Sequence, residues 1–181
     1  MEARFMLVQR ELLRDEIKQI WTIDRGEVIE AVYSLVDGVL TLQPAFYDMK
    51  GWSPGTIAQA TPTLEECFDH GGWFWGFFAA NKLAGVVVLE NRFMGMHADQ
   101  LQLQFLHVSR DYRHQGLGKQ LFELAAQEAR QRGASRLYIS ATPSEHTIGF
   151  YLRRGCAVTA EPDPTLLAME PEDIHLEFSL R

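Results

Sequence analysis

Residues 110–133, RDYRHQGLGKQLFELAAQEARQRG, change character halfway. The segment opens as a charged turn, Arg113-His114-Gln115-Gly116-Leu117-Gly118-Lys119, and continues as a helix-forming run with no glycine until Gly133. Glycines let a backbone approach a ligand closely and adopt conformations closed to other residues. Leu117, Leu121, Leu124 and Ala125 give the following helix an apolar inner face. The turn therefore sits at a helix N-terminus, where amide N–H groups lack intrahelical partners and the dipole is positive. Such a place receives phosphate. Arg113 and Lys119 add formal charge, and an arginine can hold a phosphate through two parallel bonds. The pattern is neither GxxxxGK[ST] nor GxGxxG. Taken alone it is also what an ordinary strand-to-helix turn looks like.

The elements that must position this turn follow from periodicity. Leu12, Leu13, Ile17, Ile20 and Trp21 predict an amphipathic helix over 9–21. Two strands, 28–36 and 39–46, are joined by Asp37-Gly38, a strong hairpin signal. Pro44, Gly51, Pro54, Gly55 and Pro62 predict a long loop over 43–63, followed by a short helix that starts at Thr63 and stops near Gly71-Gly72. Strands follow at 73–79, 83–90 and 101–108, the last with Leu101, Leu103 and Phe105 alternating against glutamines. After the turn and its helix come a strand at 137–141, a short helix at 147–154 ended by Gly155, and a last strand at 174–180. Strands dominate the front and α/β alternation the back, which predicts one mixed sheet flanked by helices, an α/β (α+β mixed) fold.

Composition excludes several classes of function. At 181 residues and 46% apolar content the chain supports one core, read as a single domain. A net charge of -7 with scattered lysines and arginines argues against nucleic acid as a partner. The most apolar segment, 73–89, is interrupted by Asn81 and Lys82, so no membrane-spanning helix is expected, and the N-terminal residues lack a secretory pattern. A cytoplasmic protein is the expectation. Cys67 and Cys156 have no CxxC spacing, and His97 and Asp99 lack a third ligand at recognisable spacing, so no metal is expected.

A strand, an Arg-x-x-Gly-x-Gly turn, a long helix, a second strand and then Phe150-Tyr151 before Arg154-Gly155-Cys156 form an ordered set. It resembles the GNAT superfamily of N-acetyltransferases, in particular bacterial members, most clearly in LQFLHVSRDYRHQGLGKQLFELA and LYISATPSEHTIGFYLRRGC. The resemblance covers about 73–160 and implies a GNAT fold whose mixed, mostly antiparallel sheet has splayed central strands. It divides the single domain into an acceptor-side half (1–72), an acetyl-CoA-binding core (73–160) and a C-terminal strand (161–181). Acetyl-CoA is then the acetyl donor, and its pyrophosphate meets the amides of Gln115, Gly116, Leu117, Gly118 and Lys119, with Arg113 at the motif's first position and His114 beside it. The backbone of Leu106, His107 and Val108 pairs with the pantetheine arm.

The resemblance further places the family's tyrosine on Tyr151, the general acid that protonates the departing thiolate. The family's strand glutamate falls near Gln102, which cannot accept a proton, so Glu90, Asp99 or a water chain is the expected base. Where relatives carry asparagines for the cofactor arm, this chain has Ser144 and His146. The expected reaction is acetylation of a primary amine on a small molecule by direct attack on the thioester. A CoA-binding sensor or partner module without turnover is the alternative. Phe46, Tyr47, Asp48 and Trp52 are a candidate aromatic and acidic wall for a cationic acceptor. The chain is expected to act as a monomer or homodimer.

Overall fold

In the computed structural model, which describes residues 6–181, β1 (Leu7–Glu11) precedes a 3-10 helix, Arg14–Thr22. The helix expected over 9–21 is therefore replaced by two elements. Residues 7–11 pair antiparallel with a later strand in the register Leu7 to Ala79 and Glu11 to Trp75, so ladder bonds take the backbone that a helix would have used. Ile17 and Ile20 are fully buried as their spacing suggested, whereas Leu13 is exposed. The Arg10 guanidinium grips both carboxylate oxygens of Glu16 at 2.7 Å, and Glu16 also accepts the Leu13 N–H. That clamp closes the corner between strand and helix.

The hairpin is present as β2 (Glu27–Val36) and β3 (Val39–Met49), with positive φ at Asp37 and Gly38. The loop expected over 43–63 is not. β3 runs on to Met49, and α1 (Pro54–Asp69) begins where punctuation suggested irregular chain. Ser53 caps it by accepting the Thr56 N–H at 3.0 Å, and Pro54 occupies the first turn, where its missing N–H costs nothing. Pro62 lies inside the helix, and the helix continues through it to bury Leu64 and Cys67. The helix start assigned to Thr63 is thus a mid-helix position.

β4 (Trp73–Ala79) and β5 (Lys82–Met94) form the second hairpin, turning through Ala80 and Asn81 at positive φ. β6 (Gln100–Val108), α2 (Leu117–Gln131), β7 (Arg136–Ala141) and α3 (Glu145–Leu152) follow close to their expected bounds. β8 (Ala157–Val158) and α4 (Pro164–Met169) had no expectation, and β9 (Ile174–Ser179) closes the chain. Asp163 caps α4 by accepting from the Thr165 and Leu166 amides.

Hydrogen bonding orders the main sheet β1-β4-β5-β6-β7-β9-β8, with β2-β3 as a separate two-stranded sheet. β6 and β7 are parallel and pair only at Gln100–Gln102 against Arg136–Tyr138, although each strand continues beyond that register. The mixed, mostly antiparallel sheet with flanking helices is the architecture expected from the sequence.

Packing divides the chain into two compact units that interleave along it. The first comprises Met1–Gly26, Lys50–Arg92 and Leu103–Glu128; the second comprises Glu27–Met49, Phe93–Gln102 and Ala129–Arg181. In the first, Leu12, Ile17, Ile20, Leu64, Phe74 and Val86 belong to one buried cluster. In the second, Leu137, Ile139, Ile148 and Leu176 are almost wholly buried.

Candidate active site

The first unit holds the turn. β6 ends at Val108, a short 3-10 turn covers Arg110–Tyr112, and α2 begins at Leu117. Between them His114 and Gly116 both have positive φ, 59° and 82°. At Gly116 an added Cβ would meet nothing within 4 Å, so glycine is needed there for conformation rather than space. The first helical bond runs from the Gln120 N–H to the Gly116 carbonyl at 3.1 Å. The amides of Leu117, Gly118 and Lys119 come before it and have no intrahelical acceptor. Lys119 lies 3.7 Å from Glu123 on the next turn.

Arg113 departs from the sequence reading. Its guanidinium is turned into the protein, donating from Nε to the Val108 carbonyl at 3.1 Å and from its two terminal nitrogens to the Gly26 and Asp24 carbonyls at 3.0 and 2.9 Å. The planar fork joins three carbonyls from two segments, which a lysine could not do. Arg113 therefore braces the turn, and the two-bond phosphate contact expected of it is not the geometry found. The supporting segment, Asp24-Arg25-Gly26, escaped sequence reasoning. Its Asp24 N–H donates to the Ser109 hydroxyl, its Asp24 carbonyl also accepts the Arg110 N–H, and the Arg110 guanidinium lies close against Gly26. Gly26 was the available signal.

His107 sits edge-on to Trp52 at 4.9 Å and to Phe105 at 5.4 Å, and Trp21 meets Trp52 at 5.0 Å. Trp52 donates from its indole to the Ile23 carbonyl and carries the Arg25 guanidinium 4.6 Å from its ring. Trp52 is thus a member of this aromatic cluster in the first unit, and Phe46 and Tyr47 belong to the second. Burial, then the cations Arg25 and Arg113, push the His107 imidazole down from 6.5 to about 3. It is neutral at working pH. In the unfolded chain the same imidazole takes a proton near pH 6.5, so its burial makes stability fall as pH drops from about 6.5 toward 3. His107→Phe is expected to flatten that acid limb in a urea-denaturation series from pH 7 to pH 4; an unchanged slope would contradict the burial argument.

Glu90, on β5 in the same unit, is 8% exposed. One oxygen accepts the Asn91 N–H at 2.9 Å and the other lies 3.8 Å from Arg92.

The second unit holds the remaining candidates. Tyr151 is buried on α3, and burial raises its phenol above the ordinary range, with Cys156 adding to the effect. Its hydroxyl stays protonated. Ser144 caps α3, accepting the Thr147 N–H at 3.2 Å and donating to the Thr147 hydroxyl at 2.9 Å, so its side chain already serves the helix. His146 follows in the first turn of α3. Asp99 pairs with Arg136 at 2.9 Å, which holds its carboxyl below the usual range. That ion pair makes it a weak proton acceptor. Gln102 lies opposite Tyr138 in the short parallel ladder. Among the described residues no group of three or more potential ligands could hold a metal, and no helix is long and apolar enough to cross a membrane.

The Acetyltransferase (GNAT) family model matches residues 40–156, more than half of the chain. No curated protein sequence matches. Among solved structures, nourseothricin acetyltransferase is 20% identical with a TM-score of 0.71, covering 97% of this chain and 99% of that one. A Bacillus anthracis str. Ames protein described as a streptothricin acetyltransferase, in complex with acetyl coenzyme A, is 15% identical with a TM-score of 0.64 over 98% and 99% of the two chains. The PaiA N-acetyltransferase from Thermoplasma acidophilum, in complex with coenzyme A, is 17% identical with a TM-score of 0.63 over 96% and 99%. At these identities the likeness is one of fold.

Proposed function

Because the chain belongs to the acetyltransferase (GNAT) family, we propose that it moves an acetyl group from acetyl-CoA to a primary amine of a small molecule, by direct attack of the amine nitrogen on the thioester carbonyl. The observation that carries this reading is the braced turn. Arg113 locks its entrance to three carbonyls, His114 and Gly116 supply the two positive-φ residues, and the amides of Leu117, Gly118 and Lys119 open at the α2 terminus. Preorganised N–H donors at a helix start suit a pyrophosphate, and the donor set is all backbone, which needs no side-chain reorganisation on binding. Gln115 belongs to the same cradle, its side chain tied to the Asp111 carbonyl at 3.1 Å. The chain's own residues therefore fit a coenzyme A pyrophosphate.

An amine that arrives as an ammonium first releases one proton to solvent; the neutral nitrogen then bonds to the acetyl carbon, the carbon–sulfur bond breaks, and one proton leaves the nitrogen while one arrives at sulfur. The Tyr151 phenol supplies the proton to sulfur. Its raised pKa keeps it in the donor form at any working pH. Glu90 takes the proton from nitrogen in preference to Asp99, whose carboxylate is committed to Arg136. Coenzyme A contacts from the Leu106–Val108 backbone and the Ser144 hydroxyl remain part of the proposal, with Val108's carbonyl and the Ser144 hydroxyl already engaged within the protein.

Paired substitutions separate the two candidate bases. Glu90→Gln is expected to lower kcat by about a hundredfold or more. Asp99→Asn is expected to leave turnover within about twofold while costing no more than about 1 kcal/mol of stability, as for other partly exposed ion pairs. The reverse pattern would move the base to Asp99. The non-catalytic alternative, a CoA-binding module, predicts acetyl-CoA binding with no thiol release for any amine.

A further inference from the structure

The second unit contains a pocket of about 990 Å³ with mainly apolar walls, and none of the side chains that the sequence reading gave catalytic roles lines it. One wall is the β2-β3 hairpin, whose Ile29, Val32 and Met49 line it; Leu167 and Ile174 lie on other walls. The hairpin is fastened to the chain after β7 by the Tyr33 N–H, which donates to the Pro143 carbonyl at 2.7 Å, and by an antiparallel bridge from Val32 to Ser144. The wall is thus held by backbone bonds.

Three polar features break the apolar lining. His175, 5% exposed, presents an Nε2 that is buried with no hydrogen-bond partner among the described residues. Its other nitrogen, Nδ1, lies 2.5 Å from the Tyr138 hydroxyl, and that hydroxyl accepts the Asp163 N–H at 2.8 Å. If the phenol donates to Nδ1, the Tyr138 hydroxyl and Nδ1 are both satisfied and the imidazole hydrogen sits on Nε2. The opposite tautomer would leave the phenol hydrogen without a partner. Nε2–H is therefore a buried donor in need of an acceptor, a costly thing to leave unmade. Ser34 Oγ is also buried without a partner. The third feature is charge: Glu172 and Asp173 line the pocket, and no lysine or arginine does. Asp173 is held by the Ser140 hydroxyl at 2.9 Å, and burial raises its carboxyl, so a cation beside it would find a carboxylate in want of one.

We propose that this pocket takes the acceptor, a small and mainly apolar molecule carrying a cationic amine for Asp173 and an oxygen acceptor for the His175 Nε2–H. Its use in acetyl transfer rests on the reading given above, whereas its occupancy does not. A matching ligand has an aromatic or aliphatic body, an ammonium at one end and a hydroxyl or carbonyl at the other. Anions are excluded by the two carboxyl groups, and highly polar polyols by the walls.

Tyramine is a direct probe, and 3-(4-hydroxyphenyl)propionate, with the same ring and the opposite charge, is its control. The full chain is titrated with each by calorimetry, while the His175 imidazole resonances are followed by NMR. Tyramine is expected to bind saturably and to shift the Nε2–H resonance, with the propionate at least about tenfold weaker by charge alone. Asp173→Asn is expected to weaken tyramine about tenfold or more and to erase most of that discrimination, with acetyl-CoA affinity unchanged. Ser34→Ala removes a buried hydroxyl that has no partner, so the free protein should be at least as stable as before while tyramine binds more weakly. Absence of tyramine binding, equal binding of the propionate, or indifference to Asp173→Asn would each overturn the pocket assignment. Acetyl-CoA binding in the same samples would leave the family reading standing. Pocket binding of tyramine without thiol release from acetyl-CoA, for tyramine or any other amine, would instead remove the acceptor role.

Discussion

Tyr151→Phe is expected to lower kcat by about a hundredfold to ten-thousandfold, the range general acid–base groups commonly supply, while the Kd for acetyl-CoA stays within about twofold. The substitution keeps the ring that packs α3 and removes only the hydroxyl, so folding should be preserved. Burial already keeps this phenol protonated, which means the loss should appear as a lower plateau rather than as a shifted pH optimum. Stopped assays that follow free thiol, run beside calorimetry with acetyl-CoA, separate the two quantities. Full turnover in the variant would assign the proton at sulfur to another group or to solvent.

The second large effect concerns Arg113. Arg113→Ala removes a charged donor from the Val108, Gly26 and Asp24 carbonyls at once. At the usual net worth of hydrogen bonds to charged groups, the loss is about 2–4 kcal/mol once exposure is allowed for, or a Tm lower by roughly 5–15 °C for a chain of this size. Acetyl-CoA affinity should fall about tenfold or more, because the turn loses its brace. Arg113→Lys is the discriminating control. A lysine keeps the charge and loses the fork, so a bracing role predicts that it fails on both counts. A direct phosphate role predicts that the lysine keeps Tm and most of the affinity.

What the sequence revealed and what it concealed have separate physical causes. The turn, α2, the Asp37-Gly38 hairpin and strands β4 to β7 were legible because each is written in local terms: glycine at positive φ, a 3.6-residue apolar stripe, or alternation. The first 70 residues misled because their signals conflict with tertiary bonding. Residues 9–11 read as the start of a helix over 9–21, yet their backbone is taken by β4. Prolines and glycines over 43–63 read as breaks, yet Pro54 starts a helix capped by Ser53 and Pro62 is carried within it. β8 and α4 are two and six residues long, too short to leave a periodic trace.

At the candidate site, the glycine turn at the start of α2 was visible from residue types, and the acetyl group was inferred only through the family resemblance. The orientation of Arg113 was not visible at all, since two of its three carbonyl partners lie 87 and 89 residues away in sequence. The unit-two pocket was hidden for a similar reason. Its wall and floor come from 29–49 and 142–175, segments that no local pattern links.

The most direct test of the central claim is to incubate the protein with acetyl-CoA and a panel of primary amines and follow thiol release together with the mass of each amine. Acetyl transfer predicts one thiol freed for each amine that gains an acetyl group, for at least one class of amine, with release abolished when the amine is omitted. Saturable acetyl-CoA binding with no acetylated amine and no thiol release across the panel would contradict it.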